Sequence, residues 1–192
     1  VTLPIVYPRT TETDLVILGL DPGGADGEEN GHVGVALGCR NFYNTASAAQ
    51  APTYALQAPG WRIYETAELT PDEFIHWFVA NVEGIDMIFG EMFTLEKKRA
   101  LAQAGSRMPT SQLIGFVRMY CLTVAQHVEV TWHSNMVLKG PTAEILREKG
   151  IKPVSPRGAD AARGSTGDHQ RSAELHWWHG LMRANLVDGV DI

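Results

Sequence analysis

A chain of 192 residues with 44% apolar residues is long enough to close one ordinary domain around a full core. Its net charge of -6 excludes a protein that coats nucleic acid indiscriminately, because that binding is driven by phosphate neutralisation. Cys39 and Cys121, far apart and without paired spacing, exclude a disulfide framework and a thiolate zinc site.

The opening residues 1–13, with Pro4, Pro8 and a Thr-rich run, read as a loosely attached N-terminal arm, and residues 14–192 as a single domain. Apolar runs predict strands at Leu15 to Leu20, Val33 to Leu37 and Arg62 to Glu65, joined by loops rich in Gly, Ala, Pro and Asn. That succession reads as an antiparallel meander. Thr70, Pro71, Asp72 and Glu73 are a strong helix start, after which Phe74, Trp77, Phe78 and Val82 recur at helical spacing. Met87 to Phe93 is the fourth strand. A polar segment from Leu95 to Arg107 leads into a helix over Ser111 to His127, and Val128 to Trp132 is the fifth strand. A short helix over Thr142 to Lys149, a Pro- and Gly-rich loop, and a final helix opening at Ser165 and running to about Asn185 complete the chain. The expected fold class is α/β, a mixed five-stranded sheet with a three-strand antiparallel meander and added parallel strands, flanked by helices.

Charge is divided unevenly. Residues 1–95 hold 3 Lys or Arg against 13 Asp or Glu, and residues 96–192 hold 13 against 9, so an acidic half suited to metal precedes a half suited to phosphate. Within the acidic half, Asp21 sits at the end of the first apolar strand, on a Pro-Gly turn. Glu91 lies inside the fourth, where an unpaired carboxylate is costly, so a cation is expected beside it. At the start of the last helix, Asp168 and His169 add a third acid and an imidazole, although Ser165 to Asp168 also fits a capping box. Trp177 and Trp178, with His176 and His179, read as a helix face packing on a core or on a subunit partner.

Leu18 to Gly23 followed by Gly34 to Ala36, Ile88 to Phe93 around Glu91, and Ser111 to Arg118 together resemble the first two strands, the acid-bearing fourth strand and the next helix of the RuvC family of Holliday junction resolvases, within the ribonuclease H-like fold. The resemblance spans about 170 residues. It implies two-metal phosphodiester hydrolysis of four-way DNA junctions, with Mg2+ as cofactor and Mn2+ able to substitute. By that resemblance Asp21, Glu91, Asp168 and His169 are the metal-binding and catalytic set, and Lys139 stands near the scissile phosphate. The chain departs from the family at the last helix, where Ser172 occupies a position normally acidic; Asp168 is the acid available to replace it. Lys97, Lys98, Arg99, Arg107, Arg118 and Arg163 are the candidate DNA contacts. Arg147, Lys149, Lys152, Arg157 and Arg171 form further basic surface around the last loop.

The expected partner is branched DNA, and the expected assembly a homodimer, since two symmetric strands need two matched sites. The Ser111 to His127 helix, through Phe116 and Met119, is the first candidate interface and the Trp177 and Trp178 face the second. No nucleotide cofactor is expected, because no Gly-x-x-x-x-Gly-Lys loop is present. No membrane association is expected either: no apolar run approaches the roughly 20 residues of a span, and the opening lacks the basic start of a signal peptide. The expected location is cytoplasmic, that of a bacterium or of the host cell if phage-encoded. Competing readings are a broader nuclease cutting flaps or forks, and a junction-binding protein that has lost catalysis, which Ser172 keeps open. An actin-like kinase would need a second similar domain, and a proofreading-type exonuclease an acid where Gly23 stands.

Overall fold

The computed structural model describes residues 3–4, 15–23, 32–40, 61–92, 109–134, 141–151 and 168–186. Among the described residues nine principal elements follow one another. They are β1 (Val16–Asp21), β2 (Val33–Arg40), β3 (Trp61–Leu69), α1 (Pro71–Asn81), β4 (Met87–Met92), α2 (Pro109–Thr123), β5 (Glu129–Ser134), α3 (Ala143–Glu148) and α4 (Asp168–Arg183). The strands form one sheet in the order β3-β2-β1-β4-β5. β1, β2 and β3 pair antiparallel as the expected meander, and β4 and β5 join parallel to β1. This is the mixed α/β sheet anticipated from the apolar runs. No helix among the described residues is long and apolar enough to cross a membrane.

Period-2 alternation gives the sheet two faces. Leu18 and Leu20 of β1, Val33, Val35 and Leu37 of β2, and Ile88 of β4 point into one apolar cluster with Phe74, Trp77 and Phe78 of α1 and Leu113, Val117 and Cys121 of α2. Ile17, Ala36 and Phe89 point the other way, onto Ala173, Trp177, Trp178 and Leu181 of α4. Phe78 stacks on Phe74 with ring centroids 5.5 Å apart and meets Phe116 and Tyr120 edge-on. α1 starts as its sequence dictates: the Thr70 hydroxyl accepts from the Glu73 N–H, and the Glu73 carboxylate accepts from the Thr70 N–H at 2.8 Å, a closed capping box.

Several boundaries differ from expectation: β2 runs on to Arg40 and β5 to Ser134, and three further shifts bear on the site or the core. β1 runs one residue further than Leu20, so Asp21 belongs to the strand. α2 stops at Thr123 rather than His127, with Val124 and Ala125 closing back on the Tyr120 carbonyl. β3 continues past Glu65 to Leu69 because of a bulge. Its pairing steps from Leu37–Glu65 to Gly38–Ile63, leaving Tyr64 as the extra residue. The bulge reverses the alternation, so Trp61 and Ile63 share the α4 face with Glu68, while Ala67 and Leu69 turn to the opposite cluster.

Of the N-terminal arm, Leu3 and Pro4 are described, and Pro4 is buried with its carbonyl accepting from Trp77 Nε1 at 2.6 Å. That contact ties the start of the chain to α1.

Candidate functional site

Helix α4 lies across the sheet at backbone distance. A Cβ at Gly34 would collide with the His169 carbonyl, and one at Gly19 would collide with the Ala173 carbonyl and come within 2.8 Å of Trp177 Cβ. Only residues without side chains allow that approach. The long α4 indoles anchor it: Trp177 Nε1 donates to the Ile17 carbonyl at 3.1 Å, and Trp61 meets Trp177 edge-on. Ten consecutive residues, 173–182, are buried, and Asn185 in the left-handed region (φ 53) terminates the segment.

This packing gathers acids from three strands at one edge. On β2, Gly34 pairs with Asp21 on one side and with Glu68 on the other. On β4, the parallel register pairs Leu20 with Gly90, so Asp21 and Glu91 are the next residues on neighbouring strands. Glu91 in turn pairs with His133 of β5. Glu68, Asp21 and Glu91 all face α4. Glu68 Oε1 accepts from the His169 N–H at 3.2 Å, Asp21 Oδ2 lies 3.1 Å from His169 Nδ1, and Glu91 Oε2 lies 3.5 Å from His176 Nε2. The edge is formed by the C-terminal ends of the parallel strands β1, β4 and β5, where ligand sites in open α/β sheets gather.

Asp21 is the most enclosed of the three acids, 6% exposed. Burial alone pushes its carboxyl up. The hydrogen bond and charge of His169, the Gly23 N–H donating to Oδ1 at 2.9 Å, and the charge of His176 outweigh that penalty and hold it below the usual carboxylate value. Asp21 is therefore an anion although it sits in the core's edge. Gly23, with φ 80, makes the turn that aims its N–H back at that carboxylate, and its own carbonyl accepts from Thr110 Oγ1 at 2.7 Å. The start of α2 is thereby fixed to the same edge.

Behind Glu91 lies a second polar cluster. The ring of His133 stacks on His176 with centroids 6.4 Å apart and an interplanar angle of 10°, and meets His179 edge-on at 4.7 Å. His179 Nδ1 lies 3.1 Å from Thr142 Oγ1. Desolvation first, then the neighbouring histidines and Arg183, pushes His133 down to about 4. For His179, desolvation followed by Arg183 and His176 has the same result, about 4. Both rings are neutral at physiological pH.

Of the residues singled out from sequence, Asp21, Glu91 and His169 come together on this edge. A cation is expected beside Glu91; among the described residues the group found there is the imidazole of His176. Asp168 is the first residue of α4; its side chain, like Lys97, Lys98, Arg99, Arg107, Lys139 and Arg163, lies outside the described residues. Arg118 is exposed on α2, in the helical layer on the opposite face of the sheet from His169. Ser172 is half-buried one turn beyond His169.

Two expectations are corrected. Arg171 is not spare basic surface: Nη1 lies 2.9 Å from Glu174 Oε2, a partner that is itself buried and needs the compensating charge. Trp177 and Trp178 cannot form a partner surface, because both are buried in the chain's own core against β1, β2 and β3. On α2, Met119 is exposed at 61% and Leu122 at 74%, whereas Phe116 turns inward to Phe78.

Sequence reasoning missed Glu68 and the role of His176. Glu68 was hidden by the β3 bulge, since strict alternation from Trp61 and Ile63 sends it to the wrong face. For His176 the signal was present: it stands seven residues, two helical turns, after His169 and so lies on the same face of α4. No protein-family model, no curated protein and no solved structure matches the chain.

Proposed function

We propose that this protein is a divalent-metal-dependent endonuclease that cleaves branched DNA, with four-way junctions as its preferred substrate. One observation carries the reading: a buried, ionised Asp21 at the end of β1, in contact with His169 of the last helix and beside Glu91 at the end of the neighbouring parallel strand. An anion held at the core's edge is costly to maintain, and a bound cation is the partner such an anion serves best.

The donor set suits a hard cation. Asp21 and Glu91 offer carboxylate oxygens on one face, with an imidazole alongside, which matches magnesium or manganese rather than a thiophilic metal. Among the described residues no group of three His, Cys, Asp or Glu side chains closes on one point. Asp21 and Glu91 would therefore share a cation that keeps several waters, as magnesium does. When bound, the metal supplies an activated water and charge neutralisation for the leaving oxygen. The chain's own part is positional. Asp21 stays ionised through Gly23 and His169, His169 is held against it by the Glu68 contact to its backbone, and the glycines at 19 and 34 set the distance between helix and sheet.

A homodimer goes with this reading, because two strands must be cut from two matched sites. The exposed Met119 and Leu122 of α2 make that helix the candidate interface. A cytoplasmic setting accords with the same substrate. The test is cleavage of a labelled four-way junction beside a linear duplex of the same sequence. Paired nicks at symmetric positions are expected on the junction with magnesium or manganese, none in EDTA, and a solution mass near twice 21.1 kDa. Equal cutting in EDTA overturns the metal mechanism, and equal cutting of the duplex overturns the branch preference. Ser172, at a position where the resembled family carries an acid, favours one alternative, a junction binder without catalysis. Tight junction binding with no cleavage in either metal would select it.

A further inference from the structure

α4 brings two imidazoles to two carboxylates. His169 meets Asp21 at 3.1 Å, and seven residues later His176 meets Glu91 at 3.5 Å. The second pair is built differently. His176 is fully buried, and neither of its ring nitrogens has a hydrogen-bond partner; Nε2 approaches Glu91 Oε2 at a distance slightly beyond hydrogen-bonding range. A buried imidazole with both nitrogens unmatched costs more than an apolar side chain of the same shape would. Packing alone would be better served by Phe or Leu.

The surroundings hold the ring in one orientation. His133, which pairs with Glu91 across β4 and β5, lies parallel to the His176 ring, and His133 is itself wedged edge-on against His179. Glu91 has room to adjust: its side chain is 18% exposed, whereas that of His176 is 0% exposed. The fixed partner is the imidazole and the movable one is the acid.

We infer that His176 is a positioning residue for Glu91, carrying its proton on Nε2 and donating it as a hydrogen bond to Oε2, so that the carboxylate is held on the same side of the sheet edge as Asp21. Its Nδ1 is then the lone-pair nitrogen turned into the core. This assignment rests on the nuclease reading only for its consequence, the holding of a metal-binding carboxylate; the His176 to Glu91 hydrogen bond stands or falls independently.

Two measurements on the full chain separate these. In metal-free protein with 15N-labelled histidine, NMR is expected to show His176 as the Nε2–H tautomer, with its Nε2 signal displaced in Glu91→Gln. An Nδ1–H tautomer, or a signal indifferent to Glu91→Gln, overturns the inference. In the second measurement, Mn2+ binding is followed by loss of the free-ion EPR signal. His176→Phe fills the space without a donor and is expected to weaken Mn2+ binding by about tenfold to a hundredfold, the usual effect of losing an outer partner of a metal ligand. His176→Gln, whose amide nitrogen reaches the same place, is expected to restore it, which a purely space-filling role would not produce. Unchanged Mn2+ affinity in a folded His176→Phe protein overturns the positioning role. A wild-type chain that binds no Mn2+ yet shows the Glu91-sensitive tautomer upholds the hydrogen bond and overturns the nuclease reading instead.

Discussion

β1 presents Leu18 and Leu20 to one helical layer and Ile17, Gly19 and Asp21 to the other, and the two layers solve opposite problems. Against α1 and α2 the contacts are aliphatic and aromatic, with Phe74, Trp77, Phe78 and Leu113 closing over the sheet. Against α4 the core is interrupted by His133, Glu174, His176 and His179, all buried, and it ends in carboxylates. Burying apolar area stabilises the fold wherever it happens. Burying imidazoles and acids does so only when each finds a partner, as Glu174 does in Arg171 and His179 in Thr142; His176, with neither ring nitrogen hydrogen-bonded, is the group whose presence stability does not explain. A wholly apolar layer and a layer that mixes apolar residues with buried imidazoles and carboxylates lie back to back on one sheet.

That division has a sharp consequence for substitution. If the proposed nuclease function holds, Asp21→Asn is expected to abolish junction cleavage while leaving junction binding intact or stronger, since the charge proposed to hold the metal is lost and a repulsion of phosphate with it. Cleavage by this variant at the wild-type rate would dissolve the distinction between the faces. On the other side, Phe78→Ala should cost about 3–5 kcal/mol in urea unfolding, as for other fully buried aromatics, with cleavage per folded molecule unchanged. A loss of cleavage without loss of stability there would place chemistry on the wrong layer.

Acid separates the faces more gently. His133 and His179 have native values near 4 against 6.5 unfolded, so between those limits the unfolded chain binds more protons and stability falls as pH falls. At about 1.4 kcal/mol per unit for each ring, each contributes a decline on the order of a few kcal/mol across this window. Asp21, held below its ordinary value, adds a further loss only at still lower pH, as the carboxylate itself protonates. His133→Phe should flatten the upper part of the curve, measured by thermal unfolding from pH 7 to 4. An unaltered curve would show that these rings do not carry the pH dependence. The smallest effect belongs to the α1 start: Thr70→Ala opens the capping box and should cost about 1 kcal/mol, with no change in cleavage.

Legibility in the sequence followed the same boundary. The α1 and α2 layer was readable because apolar residues recur at helical spacing and because Thr70 and Glu73 announce the helix start. β1 and β4 were readable as unbroken apolar runs, and each delivered its acid, Asp21 and Glu91, to the right end of the sheet. The expected third strand, Arg62 to Glu65, stops four residues before the observed end at Leu69, because the extra Tyr64 breaks the alternation and Thr66 and Glu68 look like a polar loop. α4 was located, but its burial was not. A helix containing His176, His179, Glu174 and Arg171 does not read as a core helix, and only the glycines on the facing strands allow it to be one. Those glycines were visible as letters; what they faced was decided by tertiary packing.

Asp21 and His169 are separated by 148 positions along the chain, one on the first strand and the other on the last described helix. On a ribosome adding about 5–20 residues per second, the carboxylate emerges roughly 7 to 30 s before the imidazole that steadies it. Until α4 has been made and has settled onto Gly19 and Gly34, the acids stand without their histidines. Synthesis itself thus acts as a timer: the grouping of Asp21 and Glu91 with His169 and His176 forms only after residues 168 to 183 have been made.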